Sequence, residues 1–333
     1  MPEISVLMSV YNCENYLTDA MNSILNQTFK DFELIVVNDG STDNSVEMIE
    51  RYKDKRIKLF SFNKNQGISK ALNFGISKCN GKYIAKADAD DIYMLDRFEK
   101  QKAVLDNSLD ISVVGSQIEY FPHNKEVELG NRYRSKKKYF EAQLNDTLNT
   151  EEIQERMYMF WCVTHSLMMI RGDIIRKFGY DESYEIAEDY KLLYDLNKKE
   201  YKMINIAEKL GMIRVSKDST SVQRKDKLYN ALFRIKQEEV SKLFTSPVYI
   251  WGAGGYGLGI KKEIEKKGYN IAGFIDSSAS KIGTELEGVQ IYSPEILKEN
   301  KVKVISASDP GRFEIVNYLK SIGYIHLKDF VVF

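Results

Sequence analysis

Carboxylates gather at two places in the first third of the chain. Asp39 follows the apolar run FELIVVN, and the motif Asp88-Ala89-Asp90-Asp91 follows the strand-like run KYIAKA. Three carboxylates this close repel one another, and a divalent cation neutralises such a cluster. Mg²⁺ and Mn²⁺ prefer oxygen ligands from one or two carboxylates, completed by phosphate oxygens and water. The motif is therefore either a metal site that could clamp a diphosphate or a solvated turn.

A later acidic pair, Glu188-Asp189, directly precedes the segment YKLLYDL, which has helical spacing. A carboxylate within hydrogen-bond reach of a substrate hydroxyl can remove its proton while a new bond forms. The same pair is also typical of the first turn of a helix, where the helix dipole favours negative charge. The pair is therefore either a general base with its neighbour or a feature of a helix N-terminus.

The elements that must position these carboxylates alternate between strands and helices. Strand-like apolar runs lie at 4–10, 32–38, 57–60 and 83–87, and segments with helical spacing lie at 14–27, 43–52 and 68–77. Such alternation predicts a doubly wound, mostly parallel α/β sheet. Because the acidic motifs follow strands, we expect them to line the crevice at the carboxyl ends of the strands, where open sheets bind ligands.

Composition and charge narrow the classes of partner and the compartment. Lys plus Arg and Asp plus Glu both number 48, so no global field indicates a nucleic acid or an anionic membrane as partner. The three cysteines show no metal-ligand spacing, which is typical of a reducing interior. No run approaches the ~18 apolar residues of a membrane span. We expect a cytoplasmic protein, at most peripheral to the inner face of a membrane.

The pattern loosens between residues 121 and 158, where the densest basic stretch lies. Its members are Arg132, Arg134, Lys136, Lys137 and Lys138. This stretch is either a solvated face or a surface for an anionic acceptor or a lipid headgroup.

Four segments together resemble successive motifs of family 2 glycosyltransferases. They are SVLMSVYN, LIVVNDGSTD, NQGISKALNFGISKCNGKYIAKADADD and AEDY, in this order within residues 1–220. The resemblance implies an inverting enzyme of GT-A fold that moves a sugar from a nucleotide-sugar donor, with UDP expected, to a glycan or lipid-linked glycan acceptor. It further implies Mn²⁺ or Mg²⁺ as cofactor, and bacterial surface polysaccharide assembly of the capsule or O-antigen type, alongside other assembly enzymes.

The resemblance also implies roles for individual residues. It places Asp90 on the metal with Asp88 in the metal shell, and it makes Asp189 the general base beside Glu188. The residues implied to bind the nucleotide sugar are Val10, Tyr11, Asp39, Lys70, Asp88, Ala89, Asp91, His165 and Arg214. For His165, a satisfied core residue is the alternative interpretation.

One segment departs from the family pattern. Members often carry an Arg-x-His segment after the base, and here Arg214 is followed by Ser216 in place of the His. A third protein ligand to the metal therefore stays open, while Arg214 or Lys217 could still meet the diphosphate.

The last third begins a new unit. Residues 221–245 have the spacing of an amphipathic connecting helix, and 246–333 form a second, smaller α/β domain. The run VYIWGAGGYG carries Gly252, Gly254 and Gly257, and the next strand-like run ends on Asp276. This spacing predicts a dinucleotide fingerprint, in which glycines let the backbone approach a pyrophosphate and the acid binds a ribose.

The second domain resembles the small Rossmann-like modules attached to many sugar and polysaccharide biosynthesis proteins. Its role is therefore either binding of a nucleotide or scaffolding in an assembly. Two other functions of the whole chain stay open: an NAD(P)-dependent oxidoreductase centred on Gly252–Gly257, and a non-catalytic scaffold that binds nucleotides or glycans.

Overall fold

The computed structural model describes residues 1–216, 224–299, 302–308 and 311–333. Lys217, one of the two residues expected near the diphosphate, lies outside these ranges. The chain divides into two compact units. The first comprises Met1–Met157 with Trp161–Ser219, and the second comprises Tyr158–Phe160 with Thr220–Phe333.

The first unit contains an eight-stranded sheet in the order β3-β2-β1-β4-β7-β6-β8-β5. Its strands are β1 (Ile4–Val10), β2 (Phe32–Asn38), β3 (Ile57–Ser61), β4 (Tyr83–Asp88), β5 (Ile92–Tyr93), β6 (Ile111–Pro122), β7 (Met169–Arg171) and β8 (Lys202–Val215). β3, β2, β1 and β4 pair in parallel, and β7 joins β4 antiparallel. The predicted α/β class with a mostly parallel sheet is confirmed.

Helices pack between and around these strands. They are α1 (Leu17–Leu25), α2 (Ser45–Glu50), α3 (Ile68–Lys78), α4 (Arg97–Asn107), α5 (Lys125–Leu129), α6 (Asn131–Ser135), α7 (Glu141–Asn145), α8 (Thr150–Arg156), α9 (Gly172–Phe178) and α10 (Glu188–Lys198). In the loosely patterned stretch, the π-helical residues Lys136–Phe140 join α6 and α7 into one continuous helix. α5 and α8 have only five and seven residues, too few to repeat apolar positions with a 3.6-residue period.

The register of the central strands brings the acidic motifs to one edge of the sheet. Ser9 of β1 lies opposite Val37 of β2 on one side and opposite Asp88 of β4 on the other. β1 is buried on both faces, with Ile4, Val6 and Met8 on one face and Ser5 and Leu7 on the other, as expected for a strand covered on both sides. The carboxyl ends of β1, β2 and β4 therefore meet where Asp39 and Asp88 begin their loops.

The second unit contains a six-stranded sheet in the order β11-β12-β10-β9-β13-β14. Its strands are β9 (Val248–Trp251), β10 (Gly273–Ile275), β11 (Glu285–Leu286), β12 (Val289–Tyr292), β13 (Lys303–Ser306) and β14 (Phe330–Val332). Its helices are α11 (Lys225–Ile235), α12 (Gln237–Leu243), α13 (Gly255–Lys266), α14 (Ile296–Glu299) and α15 (Arg312–Ser321). The described part of the predicted connecting helix is thus two helices within this unit.

The glycines between β9 and α13 have different reasons to be glycine. Gly252 has φ +124°, and a Cβ there would lie 2.4 Å from the carbonyl oxygen of Ala307. A Cβ on Gly257 would lie 1.9 Å from the carbonyl oxygen of Gly252, so the first turn of α13 packs directly on the loop. A Cβ on Gly254 would meet nothing within 4 Å. Two of the three motif glycines are therefore required by the backbone itself.

Among the described residues, no helix combines the length and the apolar character needed to cross a lipid bilayer.

The glycine geometry predicts unequal effects of alanine at two motif positions. Gly257→Ala should lower the free energy of unfolding of the second unit by about 1–3 kcal/mol, because the new methyl group must displace backbone. Gly254→Ala should leave it within about 0.5 kcal/mol. Urea unfolding followed by Trp251 fluorescence in a Trp161→Phe background measures both, since the chain has only these two tryptophans. Equal effects of the two substitutions would contradict the packing described.

Candidate active site

The acidic motif after β4 forms a compact carboxylate cluster. Ligand atoms of Asp88, Asp90 and Asp91 lie within 4.8 Å of one another, as a divalent cation would require. Burial, and then the charge of Asp88, raises the pKa of Asp90 to about 6. Burial, and then the charges of Asp90 and Asp88, raise the pKa of Asp91 well above its ordinary value. Two of the three carboxyls therefore resist ionisation while no cation balances them.

Asp88 differs because a buried cation accompanies it. Lys86, two residues before the end of β4, is 1% exposed and forms an ion pair with the Asp88 carboxylate. Its ammonium also donates to the carbonyl oxygen of Ala87 at 2.8 Å. Burial opposes ionisation of Asp88, but Lys86, followed by His165 and Arg97, lowers its pKa overall. The sequence signal for Lys86 was a lysine inside the apolar run YIAKA, and sequence analysis did not use it.

A second buried cation and a tyrosine hold the backbone of the cluster. Arg97 at the start of α4 is fully buried and donates from Nη2 to the carbonyl oxygen of Lys86 at 2.7 Å. Its Nε donates to Gln101 Oε1 at 3.0 Å. The Tyr93 hydroxyl accepts from the Asp88 N–H at 2.6 Å and donates to the Asp88 carbonyl oxygen at 3.0 Å. These residues fix the turn from behind, and sequence analysis missed them too.

Asp91 faces the protein interior. Its carboxylate accepts from the Ser166 hydroxyl at 2.7 Å and from the Arg214 N–H at 2.9 Å. The Arg214 guanidinium donates to the Asp90 carbonyl oxygen at 2.8 Å and to Asp19 at 3.1 Å. Asp91 and Arg214 were both expected to bind the nucleotide sugar. They brace the turn that carries the carboxylate cluster, and their contact with the donor stays a prediction.

The backbone of Ser216 also meets the basic stretch. Its carbonyl oxygen accepts a hydrogen bond from the Arg132 guanidinium. Lys137 pairs with Glu119 at 2.9 Å and with Glu141 at 3.0 Å, whereas Arg134 and Lys138 are exposed. Some side chains of the basic stretch therefore make hydrogen bonds or ion pairs within the first unit, and others are exposed to solvent.

The Asp39 carboxylate, directly after β2, hydrogen-bonds the backbone just before α3. Its two carboxylate oxygens accept from the Gln66 N–H at 2.7 Å and from the Gly67 N–H at 3.0 Å, so the carboxylate ties β2 to the start of α3. Its own N–H donates to the carbonyl oxygen of Val10 at 2.8 Å. Tyr11 follows, with 47% of its surface exposed. The structure thus brings Val10, Tyr11 and Asp39 together, and nucleoside binding by them stays a prediction.

Two further residues expected to bind the donor lie at the same edge or near it. Ala89 is buried in the turn between Asp88 and Asp90. Lys70 is exposed in the first turn of α3. Neither position conflicts with the expected role, and neither establishes it.

The Glu188-Asp189 pair begins α10 after Ala187, which has φ +61°. A left-handed non-glycine residue costs about 1–3 kcal/mol and persists only where its surroundings impose it. Burial, and then the charge of Asp189, raises the pKa of Glu188 to about 8. Burial raises the pKa of Asp189 too, while the Tyr190 N–H at 2.7 Å from Oδ1 opposes that rise.

The two acidic groups form one site. The charge of Asp88 contributes to the raised pKa of both Glu188 and Asp189, although a hundred residues separate them along the chain. His165 lies near the same charges, in the short 3-10 turn His165–Leu167. Its Nε2 is 2.7 Å from the Tyr180 hydroxyl. Tyr180 had no signal in the sequence.

In the second unit, Asp276 folds back onto the glycine loop. It accepts from the Ala253 N–H at 3.1 Å and pairs with Lys281 at 2.8 Å, and Lys281 also donates to the Ala253 carbonyl oxygen at 3.0 Å. Asp276 therefore already has a partner cation that sequence analysis did not foresee. Nucleotide binding by Gly252, Gly254, Gly257 and Asp276 stays a prediction.

Comparison with known proteins places the first unit in a family. Residues 5–179, more than half of the chain, match Glycosyl transferase family 2, and residues 245–328 match the family C2185-like, N-terminal. The chain is 31% identical over 263 residues to an uncharacterized glycosyltransferase of Methanocaldococcus jannaschii, covering 77% of this chain and 87% of the relative. It is 31% identical over 231 residues to the minor teichoic acid biosynthesis protein GgaB of Bacillus subtilis, covering 67% and 24% respectively. The chain belongs to glycosyl transferase family 2, and it is a glycosyltransferase.

Solved structures agree with the predicted fold. S. aureus TarS 1-349 in complex with UDP superposes with a TM-score of 0.54 at 19% identity, covering 72% of this chain and 65% of that one. The mannosyltransferase PcManGT from Pyrobaculum calidifontis, in complex with GDP-Man and Mn²⁺, gives 0.54 at 16% identity, covering 72% and 64%. At these identities the likeness concerns the fold, and the predicted GT-A fold is confirmed.

The raised pKa of Glu188 predicts how stability depends on pH. Its folded pKa of about 8 exceeds its ordinary value of 4.5, so the unfolded chain releases the proton first and stability falls as pH rises between these values. Glu188→Gln should therefore stabilise the metal-free protein at pH 8 by on the order of 2–4 kcal/mol, and hardly at all at pH 4.5. Chemical denaturation in EDTA at both pH values measures this.

The matched control is Glu47→Gln, since Glu47 is an exposed carboxylate in a loose pair with Arg51 at 3.8 Å. It should leave stability nearly unchanged at both pH values. A Glu188→Gln variant stabilised equally at pH 4.5 and pH 8 would mean that the carboxyl is not held protonated by its surroundings.

Proposed function

We propose that this glycosyltransferase moves a sugar from a nucleoside diphosphate, with UDP as the expected nucleotide, to a hydroxyl of a glycan acceptor and inverts the anomeric configuration. The observation that carries the proposal is the single electrostatic site formed by Asp88, Asp90 and the Glu188-Asp189 pair. Direct displacement needs both parts: a site that stabilises the departing diphosphate and a base for the incoming hydroxyl.

Asp90 and Asp88 are the residues that would hold a divalent cation, Mn²⁺ or Mg²⁺. Three converging carboxylates, two of them reluctant to ionise, fit a group that supplies positive charge. Such a cation would stabilise the negative charge that grows on the diphosphate as the sugar leaves. Asp91 is committed to Ser166 and to the Arg214 backbone, which favours the other two carboxylates as ligands.

Asp189 is the better candidate for the base within the acidic pair. Its Oδ1 accepts the Tyr190 N–H at the start of α10, which favours the ionised carboxylate. Glu188 is buried and has a pKa of about 8, so near neutral pH it retains its proton and leaves the negative charge to Asp189. Asp189 would then accept the proton of the acceptor hydroxyl as the new glycosidic bond forms.

The setting follows from the relatives. GgaB is named for minor teichoic acid biosynthesis, and TarS and PcManGT were solved with UDP and with GDP-Man plus Mn²⁺. These names support a nucleotide-sugar donor, a divalent metal and a role in assembling bacterial surface polysaccharide. The second unit would serve that assembly either as a nucleotide-binding module or as a scaffold.

Two substitutions separate the metal from the base. Asp90→Ala and Asp189→Asn should each lower kcat/KM for sugar transfer by about 100-fold or more. Only Asp90→Ala should also abolish the Mn²⁺-dependent part of the thermal shift caused by the donor, because Asp189 does not hold the metal. A panel of UDP- and GDP-sugars with Mn²⁺ supplies the assay.

Asp110→Ala is the matched control, since Asp110 is exposed and pairs only with Lys202 at the protein surface. It should retain wild-type transfer. Full activity of Asp90→Ala in EDTA would refute the metal role, and full activity of Asp189→Asn would refute the base.

The stereochemical outcome is an independent prediction. A single displacement assisted by Asp189 gives a product with the anomeric configuration opposite to that of the donor. Proton NMR of the first product formed, read from the coupling constant of its anomeric proton, measures the configuration. A product that retains the donor configuration would exclude this mechanism.

A further inference from the structure

Tyr180 lies in the loop between α9 and α10 and is 4% exposed. Its hydroxyl is 2.7 Å from His165 Nε2, and the two rings meet edge to face with centroids 5.6 Å apart. Among the described residues, His165 is the only hydrogen-bond partner of this hydroxyl. The Tyr180 hydroxyl and His165 Nε2 therefore form a hydrogen bond within the first unit that no other described residue shares.

The pair stands close to both acidic groups. The charges that act on Tyr180, after burial, are those of Glu188, Asp189 and Asp88. The charges of Lys86 and Asp88 also act on the His165 imidazole. Tyr180 and His165 therefore lie where the charges of both acidic groups reach them.

The loop that carries Tyr180 is fixed to α3. Asn73 accepts from the Tyr180 N–H at 2.7 Å and donates to the Tyr180 carbonyl oxygen at 2.9 Å. The Ser69 hydroxyl donates to the carbonyl oxygen of Tyr184 at 2.9 Å. The phenol is thus held in place by its backbone before any ligand arrives.

The hydrogen-bond count selects one tautomer of His165. Burial and the charge of Lys86 lower its pKa to about 3, so the imidazole is neutral and carries one N–H. If Nε2 carried that hydrogen, the buried Tyr180 hydroxyl would have no acceptor within the described part of the chain, and an unsatisfied buried donor is unfavourable. With Tyr180 as donor to Nε2, the hydroxyl is satisfied and the imidazole hydrogen lies on Nδ1.

We propose that Tyr180 is a positioning residue of the donor subsite: its hydroxyl donates to His165 Nε2 and so fixes His165 as the Nδ1–H tautomer, a neutral donor for an oxygen of the nucleotide sugar. No described residue hydrogen-bonds Nδ1. A neutral N–H binds a sugar or phosphate oxygen beside the acidic groups without adding another charge that must be balanced. The role in donor binding rests on the proposed function, whereas the tautomer does not.

The first experiment is long-range ¹⁵N–¹H NMR of the imidazole side chains in the full chain without donor. The chain has only three histidines, and His165→Gln assigns the signals. Wild type should show a protonated Nδ1 and an unprotonated Nε2 for His165. Tyr180→Phe keeps the ring against His165 but removes the hydroxyl, and it should give a mixture of both tautomers.

The second experiment is donor kinetics of Tyr180→Phe. Loss of the fixed tautomer should raise KM for the nucleotide sugar about 10-fold, as expected for one hydrogen bond of ordinary strength, and change KM for the acceptor little. Tyr83→Phe is the matched control, because Tyr83 is equally buried and its hydroxyl bonds Asp106 at 2.7 Å at the opposite end of β4. It should change stability without changing the His165 spectrum or either KM.

An Nε2–H tautomer of His165 in wild type would overturn the proposal, and so would a Tyr180→Phe variant with wild-type spectrum and donor KM. The wild-type spectrum alone decides the tautomer if the variant does not fold. If wild type transferred no sugar from any donor, the proposed function would fail, while the spectrum would still decide how Tyr180 and His165 share their hydrogen.

Discussion

The constraint on which the site depends is the concentration of negative charge at one edge of the central sheet. Asp88 and Asp90 cannot both ionise there without compensation, because repulsion and desolvation act together. The fold supplies Lys86 on the same strand as a permanent counter-ion and buries Arg97 behind the turn, with Tyr93 on the Asp88 backbone. This support compensates part of the negative charge, and the proposed divalent cation would compensate the rest. The cluster is therefore assembled before any ligand arrives.

The same edge is connected to the proposed base through a short series of hydrogen bonds. Asp39 holds the start of α3, and Ser69 and Asn73 of that helix hold the loop that contains Tyr180 and leads to α10. Asp39, which is expected to bind the nucleoside, and the loop that leads to the proposed base Asp189 are thus both fixed to α3. Such backbone-anchored loops give catalytic groups the positional accuracy that displacement at a sugar carbon requires.

The sequence predicted the acidic motifs well, since each follows a strand that is buried on both faces and ends at the same edge. It did not predict the contacts that the residues around them make within the protein. Arg214 was expected to face a diphosphate, and the structure places its guanidinium on the Asp90 backbone and on Asp19. Asp276 was expected to meet a ribose, and the structure pairs it with Lys281. Asp90 and Lys281 lie in turns whose path local sequence patterns do not specify.

By itself the sequence determined the order of strands and helices up to β4, the family, and the positions of Asp39, Asp88, Asp90 and the Glu188-Asp189 pair, because hydrophobic periodicity and short motifs are local properties of the chain. The tertiary structure decided which charges meet. The nearness of Asp88 to residues a hundred positions away and the ionisation of each carboxyl depend on burial and on distances across the fold. The hydrogen bond of Tyr180 to His165 depends on them too. No local pattern encodes these distances, since they arise only when strands and loops from separate parts of the chain pack together.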